Sequence, residues 1–351
     1  MIKSLKIGNL TAHHPIIQGG MGVGISLSSL AGAVASEGGV GVISAAQTGF
    51  NWGGFDSNPL KANLKALAHH IKRAKTLAKD GIIGVNIMHA LANYSEYVKC
   101  TIKNGADLII SGAGLPTNLP ELVADTTTKI APIISSAKAA KILLSLWEKK
   151  YNRTADMIII EGPKAGGHLG FSQAELDSDA NFDEKIEDIL QEVSKFESRF
   201  NKAIPTVFAG GVHDSKDTAH YMRLGCAGVQ VATRFVATYE CDAAEGFKQA
   251  YIQAKESDVV ITKSPVGMLG RAISNAFIKS LLVSKPQITR CHGCIDHCNR
   301  AEIPYCISGA LINSARGQTE NGLVFCGANV HRISEVTSVR EVMRDLVAYN
   351  E

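Results

Sequence analysis

Eight short apolar runs recur along the chain, each closed by a polar or glycine-containing turn and followed by a stretch of helical character. They cover residues 15–18, 40–44, 82–86, 107–111, 132–135, 156–161, 205–209 and 228–232. Inside each run the apolar residues are continuous and do not alternate with polar ones. A strand built that way buries both faces, which is the mark of a parallel sheet covered by helices. The stretches 59–79 and 183–200 carry apolar residues at helical spacing and are long enough to cross between strands. Eight such βα units predict an α/β protein with a closed TIM-type (β/α)8 barrel in place of an open doubly wound sheet.

The polar residues fall where such a barrel needs them. Gln18, Asn86, Ser111, Glu161 and Ala209-Gly210-Gly211 lie at C-terminal strand ends, where barrel enzymes carry their chemistry. From about residue 284 to 332 the βα rhythm stops and cysteines and glycines take over. A final helix is predicted over 338–348, opening on the capping sequence Ser338-Val-Arg-Glu341. The chain therefore divides into a barrel over 1–284, a cysteine-rich segment over 285–332 and a C-terminal helix within 333–351.

Composition adds little to the fold but narrows the setting. With 45% hydrophobic and 20% charged residues in 351, the chain has the make-up of a folded globular protein. A net charge of +3 gives no reason to expect nucleic acid. No apolar stretch is long enough for a membrane span, and the N-terminus lacks the apolar core of a signal peptide. Cys100, Cys226, Cys241 and Cys326 are scattered and four others are clustered, a poor disulfide framework that fits a reducing cytoplasm. Between Lys263 and Arg316 seven bases (these two with Arg271, Lys279, Lys285, Arg290 and Arg300) face only Asp296 and Glu302. That balance suits an acidic partner, or simply a solvated surface.

Four stretches carry candidate chemistry. Ala209-Gly210-Gly211 and Gly228-Val-Gln-Val-Ala232-Thr233-Arg234 follow the last two strands, where glycine backbone and a helix start can cradle a phosphate. Gln18-Gly-Gly20-Met21-Gly22 would let main chain lie against a flat ring, or be an ordinary tight turn. Glu161-Gly-Pro-Lys-Ala-Gly-Gly167-His168-Leu-Gly170 sets a histidine among glycines after strand six, a setting for proton transfer. Cys291, Cys294, Cys298 and Cys306, spaced C-x2-C-x3-C-x7-C, are dense enough for an iron–sulfur centre. Zinc with His292 and His297, a disulfide, or free thiols stay open as alternatives, and Cys326 reads as a bystander.

Together these stretches resemble the nitronate monooxygenase (2-nitropropane dioxygenase-like) superfamily, which also includes FabK-type enoyl-acyl-carrier-protein reductases. The resemblance implies FMN in the barrel mouth, surrounded by Gly20, Met21, Gly22, Asn86, Glu161, Gly167, Gly210, Gly211, Ala232 and Thr233, with His168 catalytic. The C-terminal stretch Cys291 to Cys306, with Lys263-Ser-Pro-Val-Gly267 and Gly327-Ala-Asn329, resembles the FabX-type acyl-carrier-protein dehydrogenase/isomerases, although here the first two cysteines stand two residues apart where three are expected. That resemblance implies a [4Fe-4S] cluster on Cys291, Cys294, Cys298 and Cys306.

It also implies a reaction. A medium-chain acyl group on acyl carrier protein is dehydrogenated to the trans-2-enoyl form and isomerised to the cis-3-enoyl form. A single histidine poised near the working pH serves both steps. Oxygen or another acceptor takes the electrons, and a homodimer is the assembly to test. Nitronate oxidation, FabK-type enoyl reduction and a flavin/iron–sulfur carrier or sensor are the alternatives.

Overall fold

The computed structural model describes residues 3–178, 181–296 and 298–348. Eight strands close into a barrel: β1 (Ile16–Gln18), β2 (Val40–Ser44), β3 (Ile82–Met88), β4 (Leu108–Gly112), β5 (Lys129–Ile134), β6 (Ile158–Glu161), β7 (Thr206–Ala209) and β8 (Gly228–Val231). Each pairs in parallel with its sequence neighbours and β8 returns to β1, so all eight predicted strands form one closed sheet. Only β5 starts clearly earlier than the apolar run suggests. Lys129 pairs there with Leu108, and its aliphatic stem packs against Gly8, so a charged residue sits in a strand without burying its charge.

Two cores stabilise this arrangement. Inside the barrel Ile17, Val42, Ile110, Ile159 and Val207 pack together, joined by Leu5 and Ile7 from an antiparallel hairpin of Leu5–Ile7 and Leu10–Ala12. That hairpin closes the N-terminal end and leaves the C-terminal end to bind ligands. A larger core lies between the strands and the outer helices. There Gly41 of β2 admits close helix contact: a Cβ would stand 1.8 Å from the Ala31 carbonyl oxygen.

The predicted helices form as Pro59–Ala78, Phe182–Phe200 and Val339–Val347. The first starts where Asn58 caps Lys61 N–H and Pro59 takes the first helical position. The last opens on the expected box, in which the side chains of Ser338 and Glu341 bond each other's backbone N–H. One feature is absent from the sequence reading. Gly167–Leu169, Val259–Lys263 and Leu269–Ile273 form a three-stranded antiparallel sheet that sets His168 opposite Gly270. Among the described residues no helix is long and apolar enough to cross a membrane.

Candidate active site

One cavity of about 390 Å³ opens at the C-terminal strand ends. Its walls bring together every residue expected to surround a flavin: Gly20, Met21, Gly22, Asn86, Glu161, Gly167, Gly210, Gly211, Ala232 and Thr233, together with His168. The volume falls in the range of about 300–1,000 Å³ usual for small-molecule sites. Segments beyond the barrel complete the wall, through Met268, Leu311, Phe325 and Asn329.

The glycines are placed by sterics. A Cβ on Gly20 would lie 2.4 Å from the Cβ of Asn86, so only glycine lets the loop after β1 pass over β3. Gly210 and Gly211 hold left-handed backbone, φ +123° and +84°. The Asn329 side-chain amide donates to the Gly211 carbonyl at 2.6 Å, and Gly327 N–H donates to the Thr233 hydroxyl at 3.0 Å. The turn after residue 326 thus holds both halves of the glycine and threonine cradle. Lys164 lines the same space and supplies a positive charge.

His168 is half-buried, with Nε2 2.7 Å from the hydroxyl of buried Ser264 and its ring edge-on to Phe325 at 5.0 Å between centroids. Burial lowers its pKa from 6.5 to about 4. This departs from the expectation of an imidazole poised near neutrality: burial penalises the imidazolium. His168 is therefore neutral at physiological pH, able to accept a proton and poorly able to keep one. Glu161 moves the other way. Burial raises its carboxyl to about 7, partly offset by the Gly170 N–H at 2.8 Å and by Arg271.

Ser264 escaped the sequence reading as a site residue. It lies in the stretch Lys263-Ser-Pro-Val-Gly267 but 96 residues from His168, and only the antiparallel pairing of Leu269–Ile273 with Gly167–Leu169 brings it near. Replacing Ser264 with Ala should leave FMN binding intact and lower kcat about tenfold, the loss expected of one orienting hydrogen bond. Threonine, which keeps the hydroxyl, should restore most of it. An unchanged kcat in the alanine variant would remove Ser264 from any positioning role.

The cavity also fits a flavin on its own terms. Gln230 of β8 lines it with a buried side-chain oxygen that has no partner among the described residues. A buried acceptor left so costs about 1–3 kcal/mol unless a ligand donates to it. Flexible Met21 and Met88 flank the space, as a flat ring requires. FMN would be held by Gln230, Asn86 and the Gly20–Gly22 loop at one end and by Gly210, Gly211 and Thr233 at the phosphate end.

The cysteine expectation does not fare the same way. Cys291, Cys294, Cys298 and Cys306 are free thiols in the irregular stretch before the helix Ile307–Ala315. They share a neighbourhood: burial, then Cys306, Cys298 and Cys291, push the Cys294 thiol up. Yet among the described residues no group of three or more His, Cys, Asp or Glu is placed to hold a metal ion. Cys291 is exposed, and Cys306 turns its sulfur to Gly309 N–H at 3.4 Å as the helix cap. His292 stacks on Phe55, and His297 lies outside the described residues. Among the described residues no ligand set for a [4Fe-4S] cluster is formed, and no chemistry is routed through one. Cys326 stands apart from these four. It is buried in the wall of the main cavity, its thiol raised to about 12. The basic stretch is also less open than its composition implies, since Arg271 is buried and Arg290 is paired with Asp56 at 2.9 Å.

Known proteins share this architecture. The family profile described as nitronate monooxygenase matches residues 3–349. A probable nitronate monooxygenase of Staphylococcus saprophyticus is 29% identical over 303 residues, 78% of this chain and 79% of its own. The (3aS,4S,5R,7aS)-5-hydroxy-7a-methyl-1-oxo-octahydro-1H-indene-4-carboxyl-CoA dehydrogenase of Mycobacterium tuberculosis is 26% identical over 268 residues, which span 76% of this chain and 65% of that protein. Among solved structures, FabK from Thermotoga maritima superposes with a TM-score of 0.73 at 24% identity, covering 96% of this chain and 92% of its own. Nitroalkane oxidase from Streptomyces ansochromogenes does so with 0.72 at 18% identity, covering 96% and 95%. At these identities the two structures speak for the fold, whereas the profile spans nearly the whole sequence. The chain belongs to the nitronate monooxygenase family of FMN-dependent oxidoreductases.

Proposed function

We propose that the cavity oxidises small nitronates and the nitroalkanes from which they form. What carries this reading is the place of His168 in the cavity wall, its Nε2 2.7 Å from the Ser264 hydroxyl, with burial lowering its pKa to about 4. Such a group is a weak base. A nitro group acidifies its neighbouring carbon far more than a thioester carbonyl does, so the driving force for proton transfer is much better matched to nitroalkanes. The relatives named nitronate monooxygenase support the same substrate class.

When bound, FMN supplies the two-electron oxidation, with oxygen or another acceptor completing the cycle. The protein's part is to bind, shield and move one proton. Lys164 offsets the negative charge of a nitronate, and Met88, Leu311 and Phe325 keep water from the reacting carbon. His168 accepts the α-proton of a neutral nitroalkane at Nδ1, with Nε2–H donating to the Ser264 hydroxyl. Ser264 holds the ring plane through that step.

The acyl-thioester reading keeps one observation of its own. The wall is largely apolar, through Met21, Met88, Leu115, Met268, Leu311 and Phe325, which suits an alkyl chain. The carboxyl-CoA dehydrogenase relative lends it support. On that reading the substrate would be a medium-chain acyl group on an acidic carrier protein. The histidine would then have to abstract a far less acidic proton.

Anaerobic mixing of the oxidised FMN-loaded protein with propyl-2-nitronate, 2-nitropropane or decanoyl carrier protein separates the two. Bleaching of the flavin absorbance by the nitro compounds is the expected result; bleaching by the thioester alone rejects the proposal. The pH profile offers a second check. Only the neutral imidazole accepts a proton, so kcat/KM for 2-nitropropane should rise as pH passes about 4 and be flat through 6.5. An acid limb at 6.5 would mean that burial does not lower the imidazole pKa in the working enzyme, and its loss in the His168→Ala variant would still assign the limb to His168.

A further inference from the structure

We infer that a second cavity, divided from the first by one helix, binds a small organic anion with an apolar body. This cavity encloses about 560 Å³ between the end of the helix Ala276–Leu281, the stretch 286–292 and the helix Ile307–Ala315. The inference does not depend on what is oxidised next door.

The dividing helix presents different residues to the two spaces. Cys306, Gly309, Ala310 and Asn313, spaced at three and four, line the second cavity, while Leu311 lines the first. Gly309 leaves room in the wall: an added Cβ would meet only Cys306, at 3.7 Å.

Two buried polar atoms on this wall have no partner among the described residues. Tyr305 is 1% exposed, and its hydroxyl makes no hydrogen bond. His292 stacks on Phe55 at 5.4 Å with its Nδ1 equally unpartnered. A buried hydroxyl left so costs about 1–3 kcal/mol, which an occupant accepting from it would recover.

The surroundings give the occupant its sign and shape. The helix Ile307–Ala315 borders this space along one side, and the Tyr305 hydroxyl just before it is a donor for a negative group. Arg290 stands on the same wall, anchored by Asp56 at 2.9 Å. Glu320, the lining carboxylate, is exposed and so opposes an anion only weakly. Phe277, edge-on to Tyr305 at 5.3 Å, with Pro286 and Ile288, offers a hydrophobic face that a bare inorganic ion would not use. A carboxylate on an aromatic or short aliphatic body satisfies both ends.

Isothermal titration of the FMN-loaded protein with benzoate tests this, with inorganic phosphate as the second probe. Benzoate is expected to bind once per chain, about tenfold more weakly in Tyr305→Phe and markedly more weakly in Gly309→Leu, whose side chain intrudes into the cavity beside Tyr305. Flavin content and circular dichroism should match the parent in both. Absence of benzoate binding overturns the inference, as does equal binding in both variants, which would place benzoate in the first cavity. Phosphate binding as tightly as benzoate would remove the apolar body from the argument and reject the organic ligand. Stoichiometric iron and sulfide that block benzoate and disappear in Cys306→Ser would give the space to a metal centre and overturn it too.

Discussion

Replacing His168 with alanine should lower kcat/KM for 2-nitropropane by about 10²- to 10⁴-fold, the range for loss of a positioned proton acceptor. Turnover of propyl-2-nitronate, already deprotonated, should fall far less, by about tenfold or under, through lost packing and orientation. FMN content should not change. His168 lies on the short strand Gly167–Leu169, whose backbone is fixed by pairing with Leu269–Ile273, so the truncation leaves the frame standing. The split between the two substrates is what identifies the role. Equal losses on both would make His168 a binding or shielding residue, and unchanged turnover of the nitroalkane would assign the proton to another group. His213, lowered to about 4 in the same wall, is one rival, and Glu161, a carboxyl raised to about 7, is another. Its bond from Gly170 N–H and its position beside Arg271 fit it better for holding the loop after β6.

Much of this was readable from residues alone because the relevant physics is local. Continuous apolar runs specify strands buried on both faces, and eight of them with intervening helices leave few closed arrangements. The polar and glycine residues at the strand ends then fall around one mouth, as Gly20, Asn86, Glu161 and Gly210 do. What could not be read depends on pairing across long separations. Ser264 reaches His168 only through a sheet whose strands are about a hundred residues apart, and Leu311 and Phe325 arrive from the cysteine-rich region. The pKa of His168 likewise follows from the wall built around it and not from its glycine neighbours. The four thiols show where spacing stops being informative. Their spacing is dense and they interact with one another, but spacing alone does not set the distances between sulfurs that a metal needs.

The second large effect is expected at Gly20. A methyl group there would meet the Asn86 Cβ at 2.4 Å and, at 3.2 Å each, the Asn86 side-chain carbon and a Val42 methyl. None of these can step aside. Val42 and Asn86 stand on β2 and β3, whose pairing runs from Val40–Ile82 through Ser44–Asn86, and Val42 is fully buried in the barrel core. The loop after β1 must yield instead, by moving off the strands and into the space a flavin would occupy. Overpacking of this kind costs about 1–3 kcal/mol. If it appears wholly in cofactor affinity, the Kd for FMN rises about 10- to 100-fold. Gly167→Ala is the useful contrast. Its Cβ meets nothing within 4 Å, so only the strain of φ +75° opposes it, and a loss of about 1 kcal/mol in stability is expected. Fluorescence titration of apoprotein with FMN, with thermal melting of the same samples, measures both. A Gly20→Ala variant that binds FMN as tightly as the parent would show that the loop has slack, and that the close passage over Asn86 does not shape the flavin site.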